Sequence, residues 1–244
     1  MSTVGIVVPA FRPDVQRTLA YVRFLVETVD PDVVRVELDD PAPDVAAALA
    51  DSPATVNAVP RRRGKGTAIA EGFDALGTDV LAFVDADGAT PPSSVEEILA
   101  PVVDGDAALS VGSRRHPDAR VVGHQGVVRR VLGDAFAWFA RRLLPARLYD
   151  YQCGGKAIDA GAWGAVREHL SEAGFGWDIE LIATTAALGY RIREVPIEWE
   201  DQPGSTVSPA TDGVGMARTL LSASLRARRL QLARIDRDEE GVDA

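Results

Sequence analysis

Two aspartates one residue apart, Asp85 and Asp87, close the apolar run Leu81-Ala82-Phe83-Val84. Such a run fills a buried central strand. Alternate residues of an extended segment point the same way, so the two carboxylates are expected to converge just past the strand's carboxyl end. Ala86 adds no bulk between them, Gly88 lets the chain turn away, and Pro91 and Pro92 suit the first turn of a following helix. Hard oxygens shared with phosphates are what a divalent ion such as Mg²⁺ takes. An Asp-x-Asp at this place serves equally as a turn and a helix cap.

Two further clusters fall at the ends of expected strands. Asp39 and Asp40 follow the expected strand 33–38, and Arg61-Arg62-Arg63-Gly64-Lys65-Gly66 follows 56–59. Open α/β sheets bind ligands at the carboxyl ends of their strands. The three clusters would then line one crevice suited to a nucleoside diphosphate, with carboxylates for ribose or base, backbone donors and one ammonium for phosphate, and a metal for the pyrophosphate. Each cluster alone is weak. Gly64-Lys65-Gly66 lacks the spaced upstream glycine of a P-loop and reads as well as a solvated basic loop, and no three-glycine dinucleotide fingerprint follows the first strand.

The elements that must hold these residues alternate. Strands are expected at 4–8, closed by Pro9, and at 33–38, 56–59 and 80–84. Helices fall at 13–29, at 44–51 with Asp44 as its cap, and at 67–76. This order predicts an α/β, doubly wound, mostly parallel sheet. The second half continues with a strand at 107–111 running into Gly112-Ser113-Arg114 and a loop at 116–126. Helices follow at 127–144, 161–170 and 178–188, the last with Asp178 at its cap and Glu180 in its first turn, where carboxylates suit the helix dipole. Extended segments at 192–196 and 197–199 precede an amphipathic, Arg-rich helix at 216–235 and an acidic tail at 236–244 expected to be disordered. The domain reading is one catalytic unit at 1–210, the helix at 211–235 on or beside it, and the tail.

Composition excludes several classes. The 244 residues carry a net charge of −10, and only Lys65 and Lys156 of the 26 basic residues are lysines. Acidity argues against nucleic acid as a partner. An acidic, Arg-dominated surface resembles that of salt-adapted, halophilic proteins, while GC-rich coding would also favour Arg and Ala. A single cysteine, Cys153, rules out an intramolecular disulfide and fits a reducing compartment. It has no paired His and reads as a structural thiol. His116, His124 and His169 lack metal-ligand spacing. No signal peptide is read at the start, and no apolar stretch is long enough to span a bilayer. The helix at 127–144 mixes Phe136, Trp138 and Phe139 with Arg129, Arg130, Arg141 and Arg142. It reads either as a core-packing helix with a polar face or as one lying in a membrane interface.

Taken in order, these stretches resemble glycosyltransferase family 2 with the GT-A fold, in its polyprenyl (dolichyl) phosphate hexosyltransferase branch. The matches are Val7-Val8-Pro9-Ala10-Phe11, Asp39-Asp40, Arg63-Gly64-Lys65-Gly66, Asp85-Ala86-Asp87-Gly88, Gly112-Ser113-Arg114, Gln152-Cys153-Gly154 with Lys156, Trp177-Asp178-Ile179-Glu180, and Glu194-Val195-Pro196 through Gly204-Ser205. Asp-Ala-Asp-Gly-Ala-Thr looks closer to the dolichyl-phosphate glucosyltransferases than to the mannosyltransferases. The chain departs from the family pattern at Arg12-Pro13, where an acidic residue is expected and Asp14 is its substitute. It departs again at Pro41-Ala42 after the paired aspartates, at Gly155 in place of an aromatic, and at Thr206 in place of a lysine.

The resemblance implies inverting, Mg²⁺- or Mn²⁺-dependent transfer of a hexose from a nucleoside diphosphate sugar to dolichyl or polyprenyl phosphate. Asp85 and Asp87 would hold the metal, and Asp87, Asp178 and Arg114 would carry catalysis. Pro9, Ala10, Asp39, Asp40, Lys65, Asp85, Arg129, Gln152 and Ser205 would bind substrate, with Arg114 and Arg129 on the acceptor phosphate. An anionic phosphate needs no strong general base, so Asp178 would orient acceptor or sugar. The donor expected is UDP-glucose-like, with GDP-mannose as the alternative. Docking is expected from the cytoplasmic side onto the cell-membrane surface, or through a membrane-protein partner. Two rivals stand beside this reading. A nucleotidyltransferase would carry a Gly-rich loop that Pro9 to Pro13 lacks, and a catalytically silent nucleotide-sugar-binding subunit would not need Asp85, Asp87, Arg114 and Asp178 together.

Overall fold

The computed structural model describes residues 1–123, 127–200 and 209–240, with side chains described for 1–123, 131–200 and 215–235. The first half alternates β1 (Val4–Phe11), α1 (Val15–Val29), β2 (Val33–Asp39), α2 (Pro43–Ala50), β3 (Thr55–Val59), α3 (Lys65–Asp74), β4 (Val80–Val84) and α4 (Pro92–Val103). The second half runs β5 (Leu109–Ser113), β6 (Arg120–Val122), α5 (Val127–Leu143), β7 (Gly155–Asp159), α6 (Ala160–Arg167), α7 (Trp177–Ala187), β8 (Ile192–Pro196), β9 (Glu198–Glu200) and α8 (Pro209–Glu240). Seven strands form one sheet in the order β3-β2-β1-β4-β7-β5-β8, and β6 pairs with β9 beside it. β1 to β4 are parallel, β7 is antiparallel to both β4 and β5, and β8 is parallel to β5. The sheet is thus α/β and mostly parallel, flanked by helices, with a C-terminal helix as expected.

β4 explains itself by its period of two. Leu81 and Phe83 enter one hydrophobic core with α3, α6 and α7, while Val80, Ala82 and Val84 enter the other with α1 and α4. Both faces are covered, which is why the run is apolar without interruption. The first core centres on aromatic rings in edge contact. Phe73 meets Trp163 at 5.2 Å between centroids, and Phe83 meets Trp177 at 5.7 Å.

Several boundaries differ from the sequence reading for identifiable reasons. β1 continues through Pro9 to Phe11. Its pairing with β4 ends at Val7↔Phe83, so Pro9 sits where a residue without an N–H leaves no ladder incomplete on that side. Asp14 caps α1, accepting from Arg17 N at 3.1 Å. Asp44 lies in the first turn of α2, behind the Ala42 cap and Pro43. The 116–126 stretch contains the short strand β6. β7 carries no strand signal in the sequence: Gly155 opens it and Lys156 comes second, which hides a buried strand. α8 extends to Glu240 and so takes in five residues of the expected tail. Once its packed face is nucleated on Leu220, Ala223 and Ala227, propagation adds one hydrogen bond per residue. The rest of the tail, 241–244, lies outside the described residues.

Removing the ring at the centre of the first core tests how much the sheet depends on it. Trp177, 2% exposed, replaced by alanine is expected to lower unfolding free energy by about 3–5 kcal/mol, read from urea denaturation curves.

Candidate active site

Two turns at the carboxyl edge of the sheet are fixed first. Arg63, after β3, is an almost fully buried guanidinium surrounded by three carboxylates. Its Nε donates to Asp39 Oδ1 at 2.8 Å, Nη1 to Glu71 Oε2 at 2.6 Å, and Nη2 lies 2.8 Å from Glu37 Oε2. Asp39 Oδ2 also accepts the backbone N–H groups of Arg63 and Gly64 at 2.7 and 3.0 Å. Both Asp39 oxygens are therefore engaged in shaping the turn. Asp40 is exposed beside it, in a left-handed conformation. Gly64 has φ +96°, and a Cβ there would stand 2.5 Å from the Ala173 carbonyl oxygen. That oxygen accepts from Gly66 N and Thr67 N at 2.9 and 3.3 Å, so the α6–α7 connection caps α3.

The capped turn delivers Lys65 into the crevice. Its Nζ lies 2.9 Å from Asp85 Oδ1 and 3.3 Å from Asp178 Oδ2. Asp178 Oδ1 in turn accepts from Lys156 Nζ at 2.6 Å, and Lys156 also donates to the Cys153 carbonyl at 2.7 Å. Phe83 lies under both ammonium groups, at 5.2 and 5.5 Å. The only two lysines of the chain thus meet on one carboxylate. Burial works against ionising Asp178, but Lys156 and then Lys65 hold its carboxyl below the ordinary range. Burial likewise works against the Lys65 charge, and Asp178 and Asp85 raise its pKa well above the usual lysine value.

Asp85 and Asp87 come together by a route other than strand alternation. β4 stops at Val84, Asp85 N donates to the Gly154 carbonyl at 2.9 Å, and the chain turns through Ala86 and Asp87. Asp87 Oδ1 accepts from Ala89 N at 3.0 Å. Burial, then the Asp85 charge, pushes the Asp87 carboxyl above its ordinary range. Two crowded, partly desolvated carboxylates with hard oxygens fit a divalent cation such as Mg²⁺ or Mn²⁺. Among the described residues no group of three or more His, Cys, Asp and Glu side chains could hold a metal, so further ligands would come from substrate oxygens and water. Tyr21 packs beside the pair and donates to the Thr90 carbonyl at 2.7 Å. Its hydroxyl pKa is raised by burial and then by Asp87 and Asp85.

Arg114, at the end of β5, is held by a residue that the sequence reading gave no role. Its Nε and Nη2 donate to Asp150 Oδ2 and Oδ1 at 2.7 and 3.1 Å, and it lies over Trp199 at 5.4 Å. Burial works against Asp150 ionisation, yet Arg114 holds its carboxyl down to about 2. Burial works against the Arg114 charge, but Asp150 first, then Cys153 and Asp85, hold its pKa above the usual arginine value. Gln152 lies between, its N–H on Asp150 Oδ1 at 2.9 Å and its Nε2 3.4 Å from Met216 Sδ of α8. Pro9 and Ala10 lie at the carboxyl end of β1. Cys153 is fully buried, its thiol pushed up to about 12 mainly by that burial. The Arg129 side chain, Ser205, Thr206 and His124 lie outside the described residues. Asp150 and Lys156 could have been found only through their places beside Gln152-Cys153-Gly154, since neither has a periodic or spacing signal of its own.

An acid pair past a central strand, a lysine turn beside it and a mixed sheet with an antiparallel β7 define a GT-A-like fold. Solved structures agree on the fold. Glucosyl-3-phosphoglycerate synthase from Mycobacterium tuberculosis, in complex with Mn²⁺, UDP-glucose and phosphoglyceric acid, superposes with a TM-score of 0.68 at 19% identity, covering 91% of this chain and 80% of that one. Residues 37–157 match the model for glycosyl transferase family 2. An undecaprenyl-phosphate mannosyltransferase from Micrococcus luteus is 31% identical over 175 residues, 68% of this chain and 71% of that protein. The chain belongs to glycosyl transferase family 2. Glycosyltransferase AglD from Haloferax volcanii is 30% identical over 230 residues, 89% of this chain. The dolichyl-phosphate beta-glucosyltransferase of Saccharomyces cerevisiae is 27% identical over 172 residues, 66% of this chain. The chain spans 36% of the Haloferax protein and 52% of the yeast one.

Two outcomes follow from this geometry. A Cβ on Gly154 would stand 1.9 Å from Asp85 Oδ2. Gly154→Ala is therefore expected to push Asp85 aside and, if Asp85 is a cation ligand, to weaken Mn²⁺ binding at least about tenfold, roughly 1.4 kcal/mol, while thermal melting stays within a few degrees. Calorimetric titration and melting curves separate the two. The Asp150 pKa is depressed from 3.8 to about 2, so its stabilisation is complete above pH 3.8 and lost as pH falls through that interval, on the order of 2 kcal/mol. Acid unfolding of the wild type is expected to show this loss, and Asp150→Asn should lack that step.

Proposed function

We propose that this chain transfers a hexose from a nucleoside diphosphate sugar to a polyprenyl phosphate such as dolichyl phosphate, with inversion at the anomeric carbon. One observation carries the choice of acceptor. Both Asp178 oxygens are held by lysines and its carboxyl is kept ionised, so it is a weak proton acceptor. A sugar hydroxyl needs a base to become a nucleophile, whereas a phosphate oxygen arrives already charged. Relatives named for dolichyl and undecaprenyl phosphate support the same acceptor.

The residues divide the work as follows. Asp85 and Asp87 would hold a divalent cation, which when bound supplies charge neutralisation for a departing diphosphate. Lys65 presents an ammonium to the diphosphate oxygens. Arg114, oriented by Asp150, would meet the acceptor phosphate, with Arg129 as a second contact. Pro9, Ala10, Asp39 and Asp40 flank the nucleoside end, Gln152 and Ser205 the phosphate end. UDP-glucose is the favoured donor, because the yeast relative is named a glucosyltransferase and the solved neighbour is a UDP-glucose complex. GDP-mannose is the alternative that the Micrococcus relative favours.

Residues 1–210 form the catalytic unit in this reading, with α8 as an added helix. The lipid tail stays in the bilayer while its phosphate enters the crevice, so the protein must dock on a membrane. No helix among the described residues is long and apolar enough to cross one. Residues 127–143 and 215–235 carry nine arginines and one acidic residue in a chain of net charge −10. α5 exposes Val131, Leu132, Trp138 and Phe139, and α8 exposes Leu221, Leu225 and Leu232. Apolar side chains flanked by arginine suit an anionic lipid surface on the cytoplasmic face, met directly or beside a membrane protein.

The deciding experiment incubates the protein with UDP- and GDP-sugars, a polyprenyl phosphate and Mg²⁺ or Mn²⁺, and scores labelled lipid. Product from UDP-glucose is expected, and no lipid product from any donor would reject the proposal. Asp87→Ala is expected to lower turnover by about two to three orders of magnitude. Replacing Trp138 and Phe139 by serine is expected to reduce sedimentation with anionic liposomes and leave UDP binding unchanged.

A further inference from the structure

Lys65 stands between two carboxylates of unequal freedom. Asp178 cannot follow it: Oδ1 is held by Lys156, and Lys156 is fixed in the sheet by its pairing with Phe83 on one side and Val111 on the other. The Lys156 and Asp178 side chains are 1% and 4% exposed, whereas Lys65 is 12% and Asp85 39% exposed. Freedom thus increases along the chain Lys156, Asp178, Lys65, Asp85, toward the crevice. The 2.9 Å contact between Lys65 and Asp85 is its outermost link.

An ammonium and a divalent cation cannot both sit on Asp85 without repelling each other. We propose that Lys65 is a displaceable counter-ion. It neutralises Asp85 in the free protein and passes to the donor's diphosphate as a cation takes Asp85, while Asp178 and Lys156 are positioning residues that keep the ammonium within reach of both. The inference rests on reading Asp85 and Asp87 as the cation site. Its consequence is coupling: a cation alone must expel the ammonium, whereas a diphosphate gives that ammonium a new anion. Cation and nucleotide then strengthen each other's binding by the same factor.

The test titrates Mn²⁺ into the full chain, with and without UDP, and reads free Mn²⁺ by electron paramagnetic resonance. Lys65→Met is expected to bind Mn²⁺ alone at least about fivefold more tightly than wild type, and UDP is expected to strengthen Mn²⁺ binding less in that variant. Lys65→Arg, which keeps the charge, is expected to restore weak binding of Mn²⁺ alone, and circular dichroism checks that both variants fold. If UDP recruits Mn²⁺ to the wild type but Lys65→Met binds Mn²⁺ alone no more tightly, the counter-ion role is overturned and the cation site stands. Tightened binding in Lys65→Arg overturns it as well. If UDP does not recruit Mn²⁺ to the wild type, the cation site falls and this proposal with it.

Discussion

The buried pairing of Asp178 with Lys156 sets the geometry on which the rest of the crevice depends. An unpaired charge inside a protein costs several kcal/mol, so a lysine in the middle of a sheet is tolerated only with its partner in place. Lys156 therefore fixes where α7 must begin, and α7 fixes Trp177 against Phe83 and the start of α3. Once Asp178 is so placed, its second oxygen can reach Lys65, and Lys65 reaches Asp85. A single charge pair thus links the antiparallel strand, the aromatic core and the acid pair.

A second knot holds the opposite wall. Arg63, with Glu37, Asp39 and Glu71 around it, turns what looks like a basic loop into a rigid corner. Both Asp39 oxygens accept hydrogen bonds from the Arg63 turn. Asp39 shapes the corner that delivers Lys65. Arg114 and Asp150 repeat the device on the far side of β7, where a bidentate pair holds the guanidinium in one orientation.

α8 belongs to the same scheme. Glu180, buried at the first turn of α7, accepts from Ser171 N, Glu172 N and Arg226 of α8. Ser224 of α8 donates to the Leu143 carbonyl of α5 at 2.9 Å. The two arginine-rich helices are thereby packed to each other and to the helix that carries Asp178, so the arginine-rich surface is mechanically continuous with the crevice.

The sequence alone determined the alternation of strands and helices in the first half, the apolar central strand, the acid pair at its end and the ordered motifs that mark the family. These are short-range signals of period, spacing and turn chemistry, legible because each is written within a few neighbouring residues. Tertiary structure alone decided that a turn rather than extended alternation brings the acid pair together, that β7 inserts antiparallel between β4 and β5, and that Asp150 orients Arg114. It also decided that Lys156 and Lys65, 22 and 113 residues from Asp178 along the chain, share its carboxylate. A lysine in a strand and an aspartate in a helix look like surface groups until the sheet brings them together. Their partners are chosen by burial, and burial is a property of the packed chain rather than of any local stretch.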